Sequence, residues 1–283
     1  MKKIKLVGIP MNSGGFYTGA EMTPKTLREA GLIEALEQRG VNVVDRGDVD
    51  IPSYVPRHNV PPIRNWPGPR VVWEAICQQS KDWFDEDETL LILGGDCSIV
   101  TGTMHSLYNK YAEDIHLIVI DAHIDAYGPS ADRCLGAAGM GLWFLLEEND
   151  FYHSLNGFSG NNVTIVGYQH ESDIHQDVKK HSLSELREKG LRQVMQQVLR
   201  EIPENRKILI HLDMDAISKE ELYAVYSPSN TGLSILETTK LLREILADSR
   251  TAGIEFTEFF PPFDGDGSQA KKVVDMLSEV FSK

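Results

Sequence analysis

Apolar residues along the chain fall into two rhythms. Short, nearly unbroken aliphatic runs occur at IKLVGIP (4–10), VNVVDRGDV (41–49), TLLILGGD (89–96), IHLIVIDAH (115–123), NVTIVGY (162–168) and KILIHLDMD (207–215). Runs of this length suit strands buried on both faces, and strands alternating with helical stretches imply a parallel sheet. Between them lie amphipathic stretches with helical spacing. The stretch 23–40 has Thr23 as a cap, Pro24 in its first turn, Gly40 as a stop, and Leu27, Leu32 and Leu36 as an apolar stripe. The stretches 182–202 and 234–248 repeat that periodicity, and 270–283 reads as a terminal docking helix. The pattern predicts an α/β fold, a three-layer αβα sandwich around a mainly parallel sheet.

Between Asp50 and Arg70 six prolines exclude a regular element, and the expectation is a long surface loop. The strand pattern continues on either side of it, so residues 1–283 are expected to form a single domain. Of the 283 residues, 41% are hydrophobic and 25% charged, the composition of a globular chain able to bury a core. The formal net charge of −14 opposes binding to nucleic acid or anionic membranes. No apolar run is long enough to span a bilayer, and the first apolar run is too short for a signal peptide. Cys77, Cys97 and Cys134 are odd in number and lack CxxC spacing, which fits a reducing compartment. The expected location is cytoplasmic.

Candidate chemistry concentrates where two of the apolar runs end. Asp121, His123 and Asp125 follow IHLIVI, and Asp213 and Asp215 follow ILIHL. If the backbone stays extended, side chains at i, i+2 and i+4 point the same way, so each set converges. Open α/β sheets form sites outside the carboxyl ends of their strands. Neighbouring strands would gather four carboxylates and an imidazole, a crowd that cations would relieve. Hard oxygens with one imidazole suit Mn(II), with Fe(II), Co(II) and Zn(II) as alternatives, and a metal pair implies hydrolysis by activated water.

DAHID (121–125), HLDMD (211–215), GGDCS (94–98) and GIEFTEFFPP (253–262) occur in the order found in ureohydrolases, and KLVGIPMNSGG with the segment 19–49 resembles the opening of arginases. The chain therefore resembles the ureohydrolase family of arginase, agmatinase and formimidoylglutamase over nearly its whole length. The resemblance implies two Mn(II) ions, with Asp121 and Asp213 bridging them, Asp125 completing one site together with Cys97, and His123 with Asp215 completing the other. It implies that Glu258 faces the substrate's amidinium, with Glu255 as a competing candidate, and that Asp125 and Glu258 take part in catalysis. It also implies a small guanidino or amidine substrate attacked by metal-bound hydroxide, and a homo-oligomer, trimer or hexamer.

Three departures qualify that resemblance. Cys97 stands where the family has a histidine ligand, which puts metal preference in question because thiolate is the softer donor; a small packing residue beside the Gly94–Gly95 turn is the other reading. Ala138 stands where the family has a proton-relay histidine, leaving His153, His170, His175 or Cys134 as substitutes. The segment 126–139 replaces a loop that holds an amino-acid head group, which argues against L-arginine. Within it, Tyr127 resembles an agmatinase tyrosine, and Arg133 is either an anion contact or a surface ion-pair partner. A ureohydrolase fold that has lost efficient catalysis and serves binding or assembly is the alternative reading, and a deacetylase-like hydrolase on a related fold is a third.

Overall fold

The computed structural model describes residues 3–52, 56–171 and 174–282. Positions 1, 2 and 283 of the expected domain, and 53–55 of the expected loop, lie outside the described residues. The strands are β1 (Lys3–Gly8), β2 (Asn42–Asp48), β3 (Thr89–Leu93), β4 (Ile115–Ile120), β5 (Val163–Tyr168), β6 (Lys179–Ser182), β7 (Lys207–Asp213) and β8 (Thr251–Thr257). They form one sheet in the order β2-β1-β3-β8-β7-β4-β5-β6, with every pairing parallel. The helices are α1 (Thr23–Glu29), α2 (Leu32–Gln38), α3 (Gly68–Gln79), α4 (Ile99–Tyr111), α5 (Gly141–Leu146), α6 (Leu183–Lys189), α7 (Leu191–Glu201), α8 (Ile235–Leu246) and α9 (Ser268–Phe281).

The sheet has a core on each face, which is why its central strands read as unbroken apolar runs. All six residues of β4 are buried. Ile118 and Ile120 pack with α1, α2 and α6–α9, whereas Leu117 and Val119 pack with α3, α4 and α5. The αβα sandwich follows from that alternation. No helix among the described residues is long and apolar enough to cross a membrane.

Several local expectations change. The stretch 23–40 is two helices, because Gly31 adopts a left-handed φ of 88° between them. Thr23 does not cap; its Oγ1 donates to the Phe259 carbonyl, and a short 3-10 turn at Ala20–Met22 leads into α1. Gly190, also at φ 88°, divides 182–202 in the same way. The proline-rich connection is not confined to the surface: Ile63, Arg64 and Asn65 are buried, and Asn65 Nδ2 donates to the Ser13 carbonyl at 3.0 Å. Strands β6 and β8 were not legible as apolar runs. β6 is a polar edge strand, as edges commonly are, and β8 is interrupted by the buried Glu255 and Thr257.

Candidate metal centre at the strand ends

Strands β3, β8, β7 and β4 are consecutive in the sheet, so the residues that follow them meet at one edge. The turn after β3 is tight: a Cβ on Gly95 would collide with the Met11 carbonyl, so only glycine fits. Asp96 then fastens this turn to the opening loop by accepting from Gly14 N at 2.8 Å and Ser98 N at 3.1 Å. Cys97 is thereby held at the base of the site, 2% exposed.

The expected extended alternation does not persist beyond β4 or β7. After Ile120 the chain bends, with Asp121 Oδ1 accepting from His123 N at 2.6 Å, and Asp125 takes a left-handed φ of 50°. After β7, Asp213 Oδ1 accepts from Asp215 N at 2.7 Å at the head of the 3-10 turn Met214–Ala216. Aspartates that bond the backbone two residues on make such bends. The side chains converge through these turns rather than through strand periodicity, and Asp213 and Asp215 are sent into different groups.

Ligand-type atoms of Cys97, Asp121, Asp125 and Asp213 lie within 4.8 Å of one another, and so do those of Asp121, His123 and Asp215. In the first group Cys97 Sγ donates to Asp213 Oδ2 at 2.8 Å and lies 3.1 Å from Thr257 Oγ1. In the second, His123 Nδ1 is 3.1 Å from Asp215 Oδ2. Glu258 faces both from β8's end: its Oε1 accepts from Cys97 N at 2.7 Å, and its φ of 64° is left-handed. A non-glycine residue at such a φ costs energy that the surroundings must offset, and such residues gather at functional sites. The two carboxylates expected to serve catalysis, Asp125 and Glu258, both have it.

So many buried acids cannot all ionise unaided. Burial, followed by the charge of Asp121, pushes Asp125 well above the usual carboxylate range; burial and Asp215 do the same to Asp213. Burial and Asp96 raise Glu258, and burial and Asp213 raise the Cys97 thiol. Asp215 is pushed up to about 6 by burial and Asp121, although His123 pulls the other way. His123, beside Asp121 and Asp215, is raised to about 11. Asp121 Oδ2, Asp215 Oδ1 and Glu258 Oε2 are buried without a hydrogen-bond partner. Orphaned carboxylate oxygens of this kind ask for an ion, and the donor set fits divalent cations.

A pocket of about 200 Å³ opens over the cluster, lined by His123, Asp125, Ala138, Asp213, Asp215, Tyr226, Ser227 and Glu258. Tyr226, which the sequence did not single out, accepts through its hydroxyl from Phe16 N and from Tyr17 N at 3.2 Å, tying the opening loop to the pocket wall. Of the substitutes for a relay histidine, His170 stacks on His123 with centroids 5.4 Å apart. His175 pairs with Asp177 at 3.4 Å, and the His153 carbonyl is bonded by His105 Nε2. The Cys134 carbonyl accepts from Arg64, and Arg133 N donates to the Ser130 carbonyl. Tyr127 is 53% exposed, and its backbone N donates to the Gly139 carbonyl. Glu255 points elsewhere than the amidinium position expected of Glu258, toward His211 Nδ1 at 2.6 Å. His211 is the second residue not singled out; its place two before Asp213 and four before Asp215 was the available signal.

The arginase family model matches residues 2–282. The arginase of Brevibacillus brevis is 28% identical over 295 residues, covering 99% of this chain and 98% of that protein. A crystal structure of arginase from Bacillus cereus superposes with a TM-score of 0.85 at 25% identity, covering 100% of this chain and 99% of that one. Formimidoylglutamase from Bacillus subtilis shares the fold, with a TM-score of 0.78 at 21% identity over 99% of this chain and 86% of that one.

Proposed function

Because the chain belongs to the arginase family, we propose that it is a metal-dependent hydrolase that cleaves a linear C–N bond in a small guanidino or amidine compound. One observation carries the reading: two groups of ligand-type atoms share Asp121, and buried carboxylate oxygens in them lack partners. In this proposal Cys97, Asp121, Asp125 and Asp213 hold one cation, and Asp121, His123 and Asp215 hold the other; Asp213, expected from the resemblance to bridge, falls in the first group alone. Two divalent ions there, Mn(II) or else Fe(II), Co(II) or Zn(II), would supply Lewis acidity and a water that ionises near neutral pH.

The chain's own groups supply the rest. Glu258 is fixed by the Cys97 amide through Oε1, so that Oε2 is left to pair with a planar amidinium. Asp125, set at the pocket floor by its left-handed backbone, takes a proton from the attacking water and returns it to the leaving nitrogen. Ala138 lines the same pocket and has no proton to offer, so that duty falls to Asp125. The proposal extends to one 1–283 unit, a cytoplasmic setting and a homo-oligomer, trimer or hexamer.

Urea and ammonia release, screened over guanidino and formimino compounds with and without an amino-acid head group, together with metal analysis of protein purified without chelator, tests this. Two metal equivalents and turnover, best on compounds lacking the head group, are expected. Metal uptake with no turnover on any compound would instead favour a catalytically impaired protein.

A further inference from the structure

His211 lies on the same face of β7 as Asp213, two residues deeper, and is 3% exposed. Its Nδ1 is 2.6 Å from Oε1 of Glu255, which sits at the matching register of β8 and is fully buried. A carboxylate on one imidazole nitrogen fixes the ring and makes the other nitrogen a stronger donor to a cation. A His211 ring nitrogen, Cys97 Sγ and an Asp121 carboxylate oxygen lie within 4.8 Å of one another. The same three side chains line a cavity of about 10 Å³, room for one water-sized occupant. Asp121 Oδ2 is buried with no hydrogen-bond partner.

We propose that Cys97, Asp121 and His211 form a metal subsite oriented by Glu255, which takes a zinc-class cation, Zn(II), Co(II) or Fe(II), in preference to Mn(II). The donors set the preference: thiolate and imidazole favour borderline cations, whereas Mn(II) favours oxygen. This rests on the dimetal reading, because Asp121 is common to both. It deepens that reading by drawing one ion below the carboxylate cluster, toward a histidine supplied by a neighbouring strand. Loading needs no oxidant: the Cys97 thiol releases its proton to solvent as sulfur binds the cation, and Glu255 stays hydrogen-bonded to His211.

The test is Co(II) and Zn(II) binding to the metal-stripped full chain, read by the thiolate-to-cobalt charge-transfer band and by competition with Mn(II). Wild type should show the band and prefer Zn(II) over Mn(II) by at least about tenfold. Cys97→Ser should abolish the band, His211→Gln should weaken Co(II) binding by more than about tenfold, and Glu255→Gln by about tenfold. His123→Gln provides a check that leaves His211 intact: X-ray absorption of its zinc form should still show imidazole on the sulfur-bound ion. Loss of that imidazole, or His211→Gln binding Co(II) as wild type does, would overturn the subsite while leaving the dimetal reading in place. A wild-type protein that takes up no divalent cation would overturn both.

Discussion

The two halves of the acidic cluster share Asp121 but hold their protons differently. The half with His123 and Asp215 is already an ion pair, with Nδ1 and Oδ2 3.1 Å apart and a third of the His123 side chain open to solvent. The half with Cys97, Asp125 and Asp213 is more enclosed, with Cys97 and Asp213 buried and Asp125 partly open to the pocket, and the imidazole near it is that of His211 beneath; there a thiol donates to a carboxylate whose own proton burial favours. An accessible imidazole lets one half exist charged without metal. Both must shed protons before a cation can enter, the imidazolium proton of His123 in one and the thiol and carboxyl protons in the other, so the two should differ in affinity, pH dependence and choice of ion.

Removing what the halves share should have the largest effect. Asp121→Asn is expected to lower affinity for both ions by more than about a hundredfold, beyond the loss typical of outer partners, and to reduce urea or ammonia release to background. Metal content of the variant, measured beside turnover, checks this; retention of two equivalents would remove Asp121 from its bridging place. Glu258→Gln should act on the substrate alone. It keeps size and the Cys97 amide contact but loses the charge, so substrate binding should weaken by about 2–5 kcal/mol with both ions retained. A variant that melts early yet keeps its specific activity would instead make Glu258 structural.

Much of this comparison was legible in the sequence, for a physical reason. Apolar runs ending in DAHID and HLDMD mark buried strands whose ends carry charge, and that pattern sufficed to group Asp121, His123, Asp125, Asp213 and Asp215. What failed was the local mechanism, since strand periodicity stops at Ile120 and Asp213 and side-chain-to-backbone turns take over. His211 was missed because a histidine inside an apolar run gives no sign of what lies across the sheet. Its partner Glu255 belongs to β8, which its own buried polar residues kept from reading as a strand. Tyr226 meets the opening loop 209 residues away in sequence, a contact no local pattern announces.

Proton affinity separates the halves further once metal is stripped away. Asp215 is raised to about 6 and His123 to about 11. Both stand above their unfolded values, so each contributes stability at low pH that is lost as pH rises. For Asp215 the loss runs between about pH 4 and 6, and for His123 between about pH 6.5 and 11. Chelated protein should therefore lose a few kcal/mol of stability through this cluster on going from acid to alkaline pH. Divalent cations bind the deprotonated forms, carboxylate and neutral imidazole, so the rise in melting temperature that they produce should grow with pH. Melting curves with and without metal at several pH values would show it, and a metal-induced shift independent of pH would contradict this account of the protons.

The smallest expected effect tests whether sulfur is the origin of the difference. Cys97→His places an imidazole where the thiol now donates to Asp213 Oδ2, in a spot 2% exposed with a cavity of only about 10 Å³ beside it. The larger ring must displace neighbours, at about 1–3 kcal/mol of folding stability. In return it removes a soft donor and needs no thiol deprotonation, which should raise Mn(II) affinity in the buried half by about tenfold. The His123 half should not change. Mn(II) titration followed by electron paramagnetic resonance resolves the two equivalents, and melting temperature reports the packing cost. A variant that is destabilised as expected but binds the weaker Mn(II) equivalent no better would show that burial, not sulfur, sets the halves apart, because the desolvation of Asp125 and Asp213 would remain whichever side chain stood at position 97.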